Sequence, residues 1–274
     1  MRPPIVDEMT GFCRIGAEHD APGLVAAPRR PHVAIMTKTD DPRRRLRALL
    51  TLNRDLQREQ ETDLERDRRV KALQGWQCAR LLDTHEDLAR HPRYGPGVDF
   101  FVEDLYAPKD FSGRDADIER AVPAMVRLLP GGVLHTAADA AALYVLSREL
   151  DHAMADALFD RIGVAEIDAE AYAEAYRVCD DYDRRVEQIE LIAALAARLD
   201  RYVRSRFIYS TLKMTRTPAR LAGLGDLQDF LERGFSAFHH MQGSEVFART
   251  IVDRERRILD RIFERHPAPF AIET

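Results

Sequence analysis

The chain contains few cysteines and no long apolar run. Its three cysteines, Cys13, Cys78 and Cys179, lie far apart and form no C-x-x-C pair, which argues against a disulfide framework and against a zinc site. We therefore expect reduced thiols in a cytoplasmic protein. No apolar segment approaches the roughly 18 residues needed to cross a bilayer, and the first residues, MRPPIVDEM, lack the apolar stretch of a signal peptide. The sequence predicts neither export nor a membrane span.

Positive charge is not in excess either. The chain has 41 Lys and Arg residues against 46 Asp and Glu residues, which gives a formal net charge of −5. This balance provides no general field to attract nucleic acid or an anionic membrane surface, and we expect neither as a partner. A protein partner or a homo-oligomer remains open.

The common catalytic motifs are absent as well. The sequence has no G-x-S-x-G nucleophile elbow, no Walker A loop and no G-x-G-x-x-G loop. The usual indications of a serine hydrolase, a phosphate-binding loop and a dinucleotide site are therefore missing. No cofactor is predicted. The catalytic residues stay unknown, and the sequence does not decide whether the protein is an enzyme.

Helical patterns fill most of the chain. Apolar residues recur at three- and four-residue spacing and no stretch alternates with period two, which predicts an all-α fold, a single multi-helix bundle of about eight or nine helices. After a long helical stretch at 41–91, the predicted helices are 98–107, 113–129, 136–162, 168–179, 181–204, 206–222, 226–241 and 244–265. Asp41, Asp168 and the pair Thr136 and Asp139 are expected to cap helix N-termini. Gly234 lies on the apolar face of its helix, where a missing side chain lets another helix approach closely.

The first forty residues differ in composition from the rest. They are rich in Pro, Gly and Ala without periodicity, which predicts disorder, and translation starts at either Met1 or Met36. The expected organisation is a disordered extension at 1–40, a helical domain at 41–268 and a tail at 269–274. The strongly charged segment 41–70 either lies on the domain as a solvated helix or projects to pair with a helix of another chain.

The segment VDFFVEDLY concentrates aromatic and acidic residues. On a helix, one apolar face is shared by Val98, Phe101, Val102 and Leu105. This face predicts a mainly structural role. Phe100 and Asp104 lie together on its flank and, with Tyr106 nearby, would border a groove that a partner could enter.

FFVEDLY resembles the motif of a bacterial family of uncharacterised proteins named for the sequence FFLEELY. The identical positions are Phe100, Phe101, Glu103, Leu105 and Tyr106, and the conservative replacements are Val102 and Asp104. The similarity extends from about Trp76 to Arg265. It implies a helical domain of unknown function, and it brings no activity, cofactor or site residue with it.

One helical pattern resembles a metal site. Glu149 and His152 form an E-x-x-H motif and Asp156 follows one turn later, which is the spacing of ligands in helical di-iron proteins. The helical wheel places these three residues away from the apolar face, and the sequence has no second E-x-x-H. We therefore predict a solvated stripe and no metal site.

Four polar residues fall inside apolar helix faces. They are Gln77, Arg185, Gln188 and Glu255. A buried guanidinium or carboxylate is costly unless it is paired and hydrogen-bonded, so we expect Arg185 and Glu255 to have buried partners, each other among the options. Gln77 and Gln188 would complete the network. One interpretation is an internal ion pair that fixes helix register. The other is a pocket in which Arg185 holds the carboxylate or phosphate of a small ligand while Glu255 orients it or acts as a base.

These patterns support two hypotheses about function. The first is a non-catalytic cytoplasmic protein that acts through protein contact or self-association, with the charged helix at 42–70 or the groove beside Phe100 and Tyr106 as its surface. The second is a binding protein or enzyme for a small anionic ligand, built on Arg185 and Glu255.

Overall fold

The computed structural model describes residues 41–106 and 111–272 of the chain. Every regular element within these two ranges is a helix, so the predicted all-α class is confirmed. The described residues all belong to a compact unit that spans residues 33–274. The extension predicted at 1–40 and the last two residues of the predicted tail lie outside the described residues.

Twelve α-helices and two π-helical segments make up the described part of the chain. In chain order they are α1 (Pro42–Thr62), α2 (Leu64–Thr84), α3 (Glu86–Arg90), α4 (Gly95–Phe100) followed by the π-helical segment Phe101–Tyr106, α5 (Ser112–Leu128), α6 (Gly131–Ala155) followed by the π-helical segment Asp156–Ile162, α7 (Ala169–Cys179), α8 (Tyr182–Val203), α9 (Arg206–Met214), α10 (Arg216–Leu221), α11 (Gly225–Met241) and α12 (Glu245–Phe263). The number exceeds the eight or nine expected because two predicted helices are divided.

The divisions fall at polar residues that bond to the backbone. The stretch predicted at 41–91 is broken at Asp63, whose carboxylate accepts a hydrogen bond from the backbone N–H of Arg66 at 3.0 Å, and again at His85. The stretch predicted at 206–222 is broken at Thr215, whose hydroxyl donates to the carbonyl of Leu212 at 2.9 Å. Short polar side chains that bond the local backbone favour helix ends in this way.

Helix α6 begins five residues earlier than predicted, directly after Pro130. Thr136 lies inside this helix, where its hydroxyl donates to the carbonyl of Gly132 at 3.1 Å, and Asp139 is buried. The expected capping pair is therefore wrong. The cap predicted at Asp168 is confirmed, because its carboxylate accepts from the N–H of Ala171 at 2.8 Å.

Helix α6 is the central element and packs against α1, α2 and α8. Leu49 and Leu56 of the charged helix α1 lie in one apolar cluster with Ala142 and Val145 of α6. The leucines of α1 are therefore covered within the same chain. On the other side of α8, α12 packs against both α8 and α7, and this stacking brings α2, α6, α7, α8 and α12 together around one interior.

Helices α4 and α11 approach closely at a glycine, as the apolar face of α11 predicts. A Cβ added at Gly234 would lie 2.8 Å from Cζ of Phe100. The Phe100 ring is buried, and its centroid lies 5.5 Å from that of Phe230. The aromatic ring thus fills the space that a side chain at Gly234 would need.

Among the residues that the structure describes, no helix combines the length and the apolar character that crossing a bilayer demands.

The glycine contact yields a matched pair of substitutions. Gly234→Ala should lower the free energy of unfolding by about 1–3 kcal/mol, because the new methyl group displaces a packed ring. Gly75→Ala, in the interior of α2 with no atom within 4 Å of the added Cβ, should instead raise it by about 0.5–1 kcal/mol through helix propensity. Urea unfolding followed by circular dichroism measures both values, and a stabilising Gly234→Ala would contradict the close approach.

Candidate functional site

A buried group of polar side chains lies where α2, α6, α7, α8 and α12 meet, and we call it the inner polar cluster. Its members are Gln77, Arg80, His85, Asp151, Tyr172, Tyr176, Arg185, Gln188 and Glu255. Each of the five helices contributes at least one of them.

Two tyrosines one helical turn apart on α7 form the middle of the cluster. The hydroxyl of Tyr172 donates to that of Tyr176 at 3.2 Å. Gln77 of α2 donates through Nε2 to the hydroxyl of Tyr172 at 3.3 Å and to Oδ1 of Asp151, on α6, at 3.2 Å. These bonds join three helices through side chains that are each at most 8% exposed, apart from Tyr176.

Arg185 is buried, as predicted, and its guanidinium lies on an aromatic ring. Its Cζ is 4.4 Å from the ring centroid of Tyr176, and its Nη1 donates to Oε1 of Gln188 at 3.2 Å. Burial lowers the pKa of Arg185, but the neighbouring Tyr176, Tyr172 and Asp151 outweigh this effect and hold the pKa above its ordinary value. The guanidinium therefore stays charged in the interior.

Glu255 is paired with Arg80 and not with Arg185, which corrects the expected ion pair. Nη1 of Arg80 donates to both carboxylate oxygens of Glu255, at 2.6 and 2.8 Å, and Nε2 of His85 lies 3.1 Å from Oε1. Burial raises the pKa of Glu255, but the charge of Arg80 and the hydrogen bonds from His85 and Arg80 outweigh it and bring the pKa down to about 2. The carboxylate is therefore ionised throughout the physiological range.

The structure brings all four predicted polar residues, Arg185, Gln188, Glu255 and Gln77, into the inner polar cluster. Sequence reasoning missed Arg80, His85, Asp151, Tyr172 and Tyr176. One signal was available, because Arg80 follows Gln77 by three residues and so shares its helix face. The two tyrosines carry no such signal, since an aromatic residue on an apolar face looks like ordinary core.

A cavity of about 360 Å³ adjoins the cluster at Arg80. Its walls are formed by Trp76, Ala79, Arg80, Asp83, Thr84, Ala169 and residues 270–272. The ring centroid of Trp76 lies 4.2 Å from that of Tyr172 in a stacked arrangement and 5.9 Å from that of Phe270 in an edge-on one. The cavity thus has an aromatic wall that is backed by the tyrosine pair, and part of the segment predicted as a tail closes it.

Within the described part of the chain, several polar atoms of the cluster have no hydrogen-bond partner, and Arg80 is the one of their residues that lines the cavity. Among the described residues, no partner lies within hydrogen-bond distance of the buried atoms Nε of Arg80, Nδ1 of His85 and Oε1 of Gln77. A guanidinium has five N–H donors, and only Nη1 of Arg80 serves Glu255. Glu255 offsets the charge of Arg80, and Asp83 adds a carboxylate at the cavity wall, so the cavity has donors without a net positive charge.

Two thiols, one phenol and one carboxylate of this region are held in forms of low reactivity. Burial, with the charge of Asp151 as a smaller cause, raises the pKa of the Cys78 thiol. Burial also raises the pKa of Cys179 to about 11 and that of Tyr176 well above its ordinary value. A thiol or phenol that stays protonated is a poor nucleophile, and a carboxylate with a pKa of about 2, such as Glu255, is a weak base. None of these four groups is suited to act as a nucleophile or a general base.

Two of the three residues expected to border an interaction groove lie in the interior. Phe100 and Asp104 are 8% and 7% exposed, and the Asp104 carboxylate accepts from Nε of Arg233 at 3.0 and 3.1 Å. The side chain of Tyr106 lies outside the described residues. Because the chain turns as a π-helix from Phe101 onward, the spacing of an α-helix did not predict which side chains face inward. Phe100 and Asp104 therefore do not line an open groove.

The E-x-x-H motif does not form the expected solvated stripe. His152 is buried, Glu149 accepts a hydrogen bond from Nη2 of Arg184, and Asp156 accepts one from Nη2 of Arg66 at 2.6 Å. Both carboxylates are thus engaged by arginines. Within residues 41–106 and 111–272, no group of three or more His, Cys, Asp or Glu side chains is arranged to hold a metal ion.

Comparison with known proteins gives one match. The model of a family described as "Domain of unknown function (DUF8198)" matches residues 56–269, a range that contains every member of the inner polar cluster. The chain matches no curated protein and no solved structure.

The ion pair of the cluster predicts how stability depends on pH. The pKa of Glu255 is about 2 in the folded protein against an ordinary value of 4.5, so its contribution is complete above pH 4.5 and is lost as the pH falls through 2. Glu255→Gln should therefore lower the free energy of unfolding by about 3 kcal/mol at pH 7 and by much less at pH 2. Urea unfolding at a series of pH values measures the difference from the wild type.

A control for this substitution lies on the same helix. The side chain of Glu245 is 83% exposed and pairs with Arg249 across one turn, so Glu245→Gln should change stability by less than about 0.5 kcal/mol at every pH. If Glu255→Gln and Glu245→Gln lowered the free energy of unfolding equally, the buried pair with Arg80 would stabilise the fold no more than an exposed pair does.

Proposed function

The chain belongs to the family described as "Domain of unknown function (DUF8198)", and we propose that it is a non-catalytic protein that binds a small uncharged molecule in the cavity beside Arg80. The observation that carries this proposal is the combination of an aromatic wall with a guanidinium that still has donors to offer. Arg80 belongs to the inner polar cluster, and Trp76 of the aromatic wall stacks on Tyr172, another member of it.

The walls of the cavity indicate the chemistry of the ligand. Trp76 and Phe270 offer ring faces and edges, Ala79 and Ala169 offer small apolar surfaces, and Arg80 offers N–H donors. A volume of about 360 Å³ lies in the range of small-molecule sites. We infer a ligand with a flat apolar body and a carbonyl or similar acceptor oxygen directed at Arg80.

Charge favours an uncharged ligand over the anion expected from the sequence. Arg185, which was expected to hold the anion, is not among the residues that line the cavity. Arg80 takes its place, but Glu255 already offsets its charge, and an anion would also meet the Asp83 carboxylate. A neutral acceptor uses the free N–H groups of Arg80 without this repulsion.

Three finer expectations from the sequence belong to the same proposal. We propose that FFVEDLY marks the bacterial family named for FFLEELY, that the protein acts in the cytoplasm, and that nucleic acid is not its partner. The composition supports the last two, through widely spaced cysteines and a formal net charge of −5.

The single tryptophan of the chain allows a direct test. Because Trp76 lines the cavity, its fluorescence should change in a saturable way when benzamide is titrated into the full chain, and benzoate should bind at least tenfold more weakly. Ala79→Leu should abolish the change, since Ala79 is an exposed residue of the cavity wall and the larger side chain occupies the space.

Ala72→Leu is the matched control, because Ala72 is exposed on the same helix and lies outside the cavity wall. It should bind benzamide as the wild type does. The proposal is rejected if benzamide binding does not saturate, or if Ala79→Leu binds it normally. If benzoate bound more tightly than benzamide, the ligand would be an anion, as the sequence led us to expect.

Protein contact is the second candidate function, and exposed apolar side chains favour it. Met214 and Leu221 are 78% and 85% exposed, and Leu231 of α11 is 44% exposed. Contiguous exposed apolar surface on a folded protein commonly marks a contact site. We propose that the surface of α9 to α11, in place of the groove expected beside Phe100, supports self-association.

Sedimentation velocity over a range of protein concentrations tests self-association. The wild type should form dimers in the micromolar range, and Leu221→Asp should weaken them at least tenfold. Leu64→Asp, at a residue that is 67% exposed between α1 and α2, should leave them intact. A wild type that stays monomeric at 100 micromolar rules out this candidate. If Leu64→Asp weakened the dimer and Leu221→Asp did not, the contact would lie on the charged segment 42–70 instead.

A further inference from the structure

A second cavity, of about 450 Å³, lies between the beginning of α6 and the last turns of α8. It is lined by Gly132 and His135 of α6 and by Arg198, Arg201 and Tyr202 of α8. None of these lining residues is acidic. The cavity shares no lining residue with the one beside Arg80.

The charges around this cavity do not balance. Asp139 lies behind it and is shared by two guanidinium groups, with Oδ1 at 2.5 Å from Nη1 of Arg45 and Oδ2 at 3.1 Å from Nη1 of Arg198. Arg201 is exposed and has no carboxylate partner among the described residues. Among the described residues, Arg45, Arg198 and Arg201 therefore have one carboxylate partner, Asp139, and two of these arginines, Arg198 and Arg201, line the cavity.

The remaining walls are held in place by hydrogen bonds. The hydroxyl of Tyr202 lies 3.3 Å from Oγ1 of Thr136, and Thr136 in turn donates to the carbonyl of Gly132 at 3.1 Å. Tyr202 is thus tied to the first turns of α6. This helix has 25 residues and begins at Gly131, so its dipole adds to the positive potential that the arginines already create.

We propose that this cavity binds the phosphoryl group of a small phosphorylated molecule. A phosphoryl group presents three oxygens, so it can accept hydrogen bonds from Arg198 and Arg201 at the same time, whereas a carboxylate presents two. His135 adds a further donor. A volume of about 450 Å³ leaves room for the part of the molecule that carries the phosphoryl group.

Two adjacent glycines provide a test that does not disturb charge. A Cβ added at Gly132 would meet the Tyr202 hydroxyl at 3.8 Å, an ordinary contact, whereas one added at Gly131 would meet no atom within 4 Å. Gly132→Ala therefore keeps the fold and places a methyl group in the cavity. Gly131→Ala makes the same change one residue earlier, at a position that does not line the cavity.

Calorimetric titration of pyrophosphate into the full chain, at constant ionic strength, measures the proposed site. The wild type should bind one pyrophosphate per chain, Arg201→Gln should weaken binding at least tenfold, and Gly132→Ala should weaken it several-fold. Arg257→Gln removes the same charge from an exposed position on α12, and it should bind within twofold of the wild type, as should Gly131→Ala.

Three results would overturn the proposal. The first is a wild type that takes up no more pyrophosphate than chloride at the same ionic strength. The second is an equal loss of affinity from Arg257→Gln and Arg201→Gln, which would show attraction to the general surface charge. The third is Gly132→Ala binding as tightly as Gly131→Ala. Benzamide binding at the Arg80 cavity should be unchanged in all four variants, which keeps the outcome separate from the function proposed above.

Discussion

A guanidinium that leaves water needs a counter-charge or an aromatic face, and two arginines impose this requirement at the centre of the protein. Arg80 meets it through the carboxylate of Glu255, and Arg185 through the ring of Tyr176, with Asp151 acting over a longer distance. The partners come from different helices. Since an unpaired buried charge costs several kcal/mol, helices α2, α7, α8 and α12 have few relative positions in which all of these groups are satisfied.

The candidate site could be predicted in part, because whether a side chain faces the interior depends on the residues of its own helix. The helical wheel identifies Arg185, Gln188 and Glu255 from apolar neighbours in the same helix. The partner of a buried charge is not local, because it depends on where two helices cross and at what height. Arg80 and Glu255 are 175 residues apart in sequence, and nothing within either helix specifies their contact.

The fold was also predicted where a pattern within one helix sufficed, and less well where a helix ends. The long helices were predicted because their apolar periodicity extends over several turns. The segment 41–91 was expected to form one long helix or two in line, but the break was not placed at Asp63, because an aspartate that caps a helix cannot be told in sequence from an exposed aspartate of a charged helix. Thr136 gave the opposite error, since its pattern matches a cap while its hydroxyl bonds back within α6. At Phe101 the chain changes to a π-helix, and the spacing of an α-helix does not give the direction of a side chain beyond that point, such as Asp104.

The two cavities differ in the number of carboxylates near their arginines, and we infer that this number, more than the presence of arginine, decides which ligand each cavity favours. At the first, one guanidinium faces Glu255 and the additional carboxylate of Asp83, so its N–H groups act as neutral donors. At the second, Asp139 pairs with two guanidinium groups, and Arg201 has no carboxylate partner within the described part of the chain, so positive charge remains. Helix α8 contributes to both regions, with Arg185 near its beginning and Arg201 near its end. Arg185 lies on the Tyr176 ring and lines neither cavity, whereas Arg201 of the same helix is exposed at the second cavity. The residues on the neighbouring helices therefore decide whether a cation of α8 is held in the interior or left accessible.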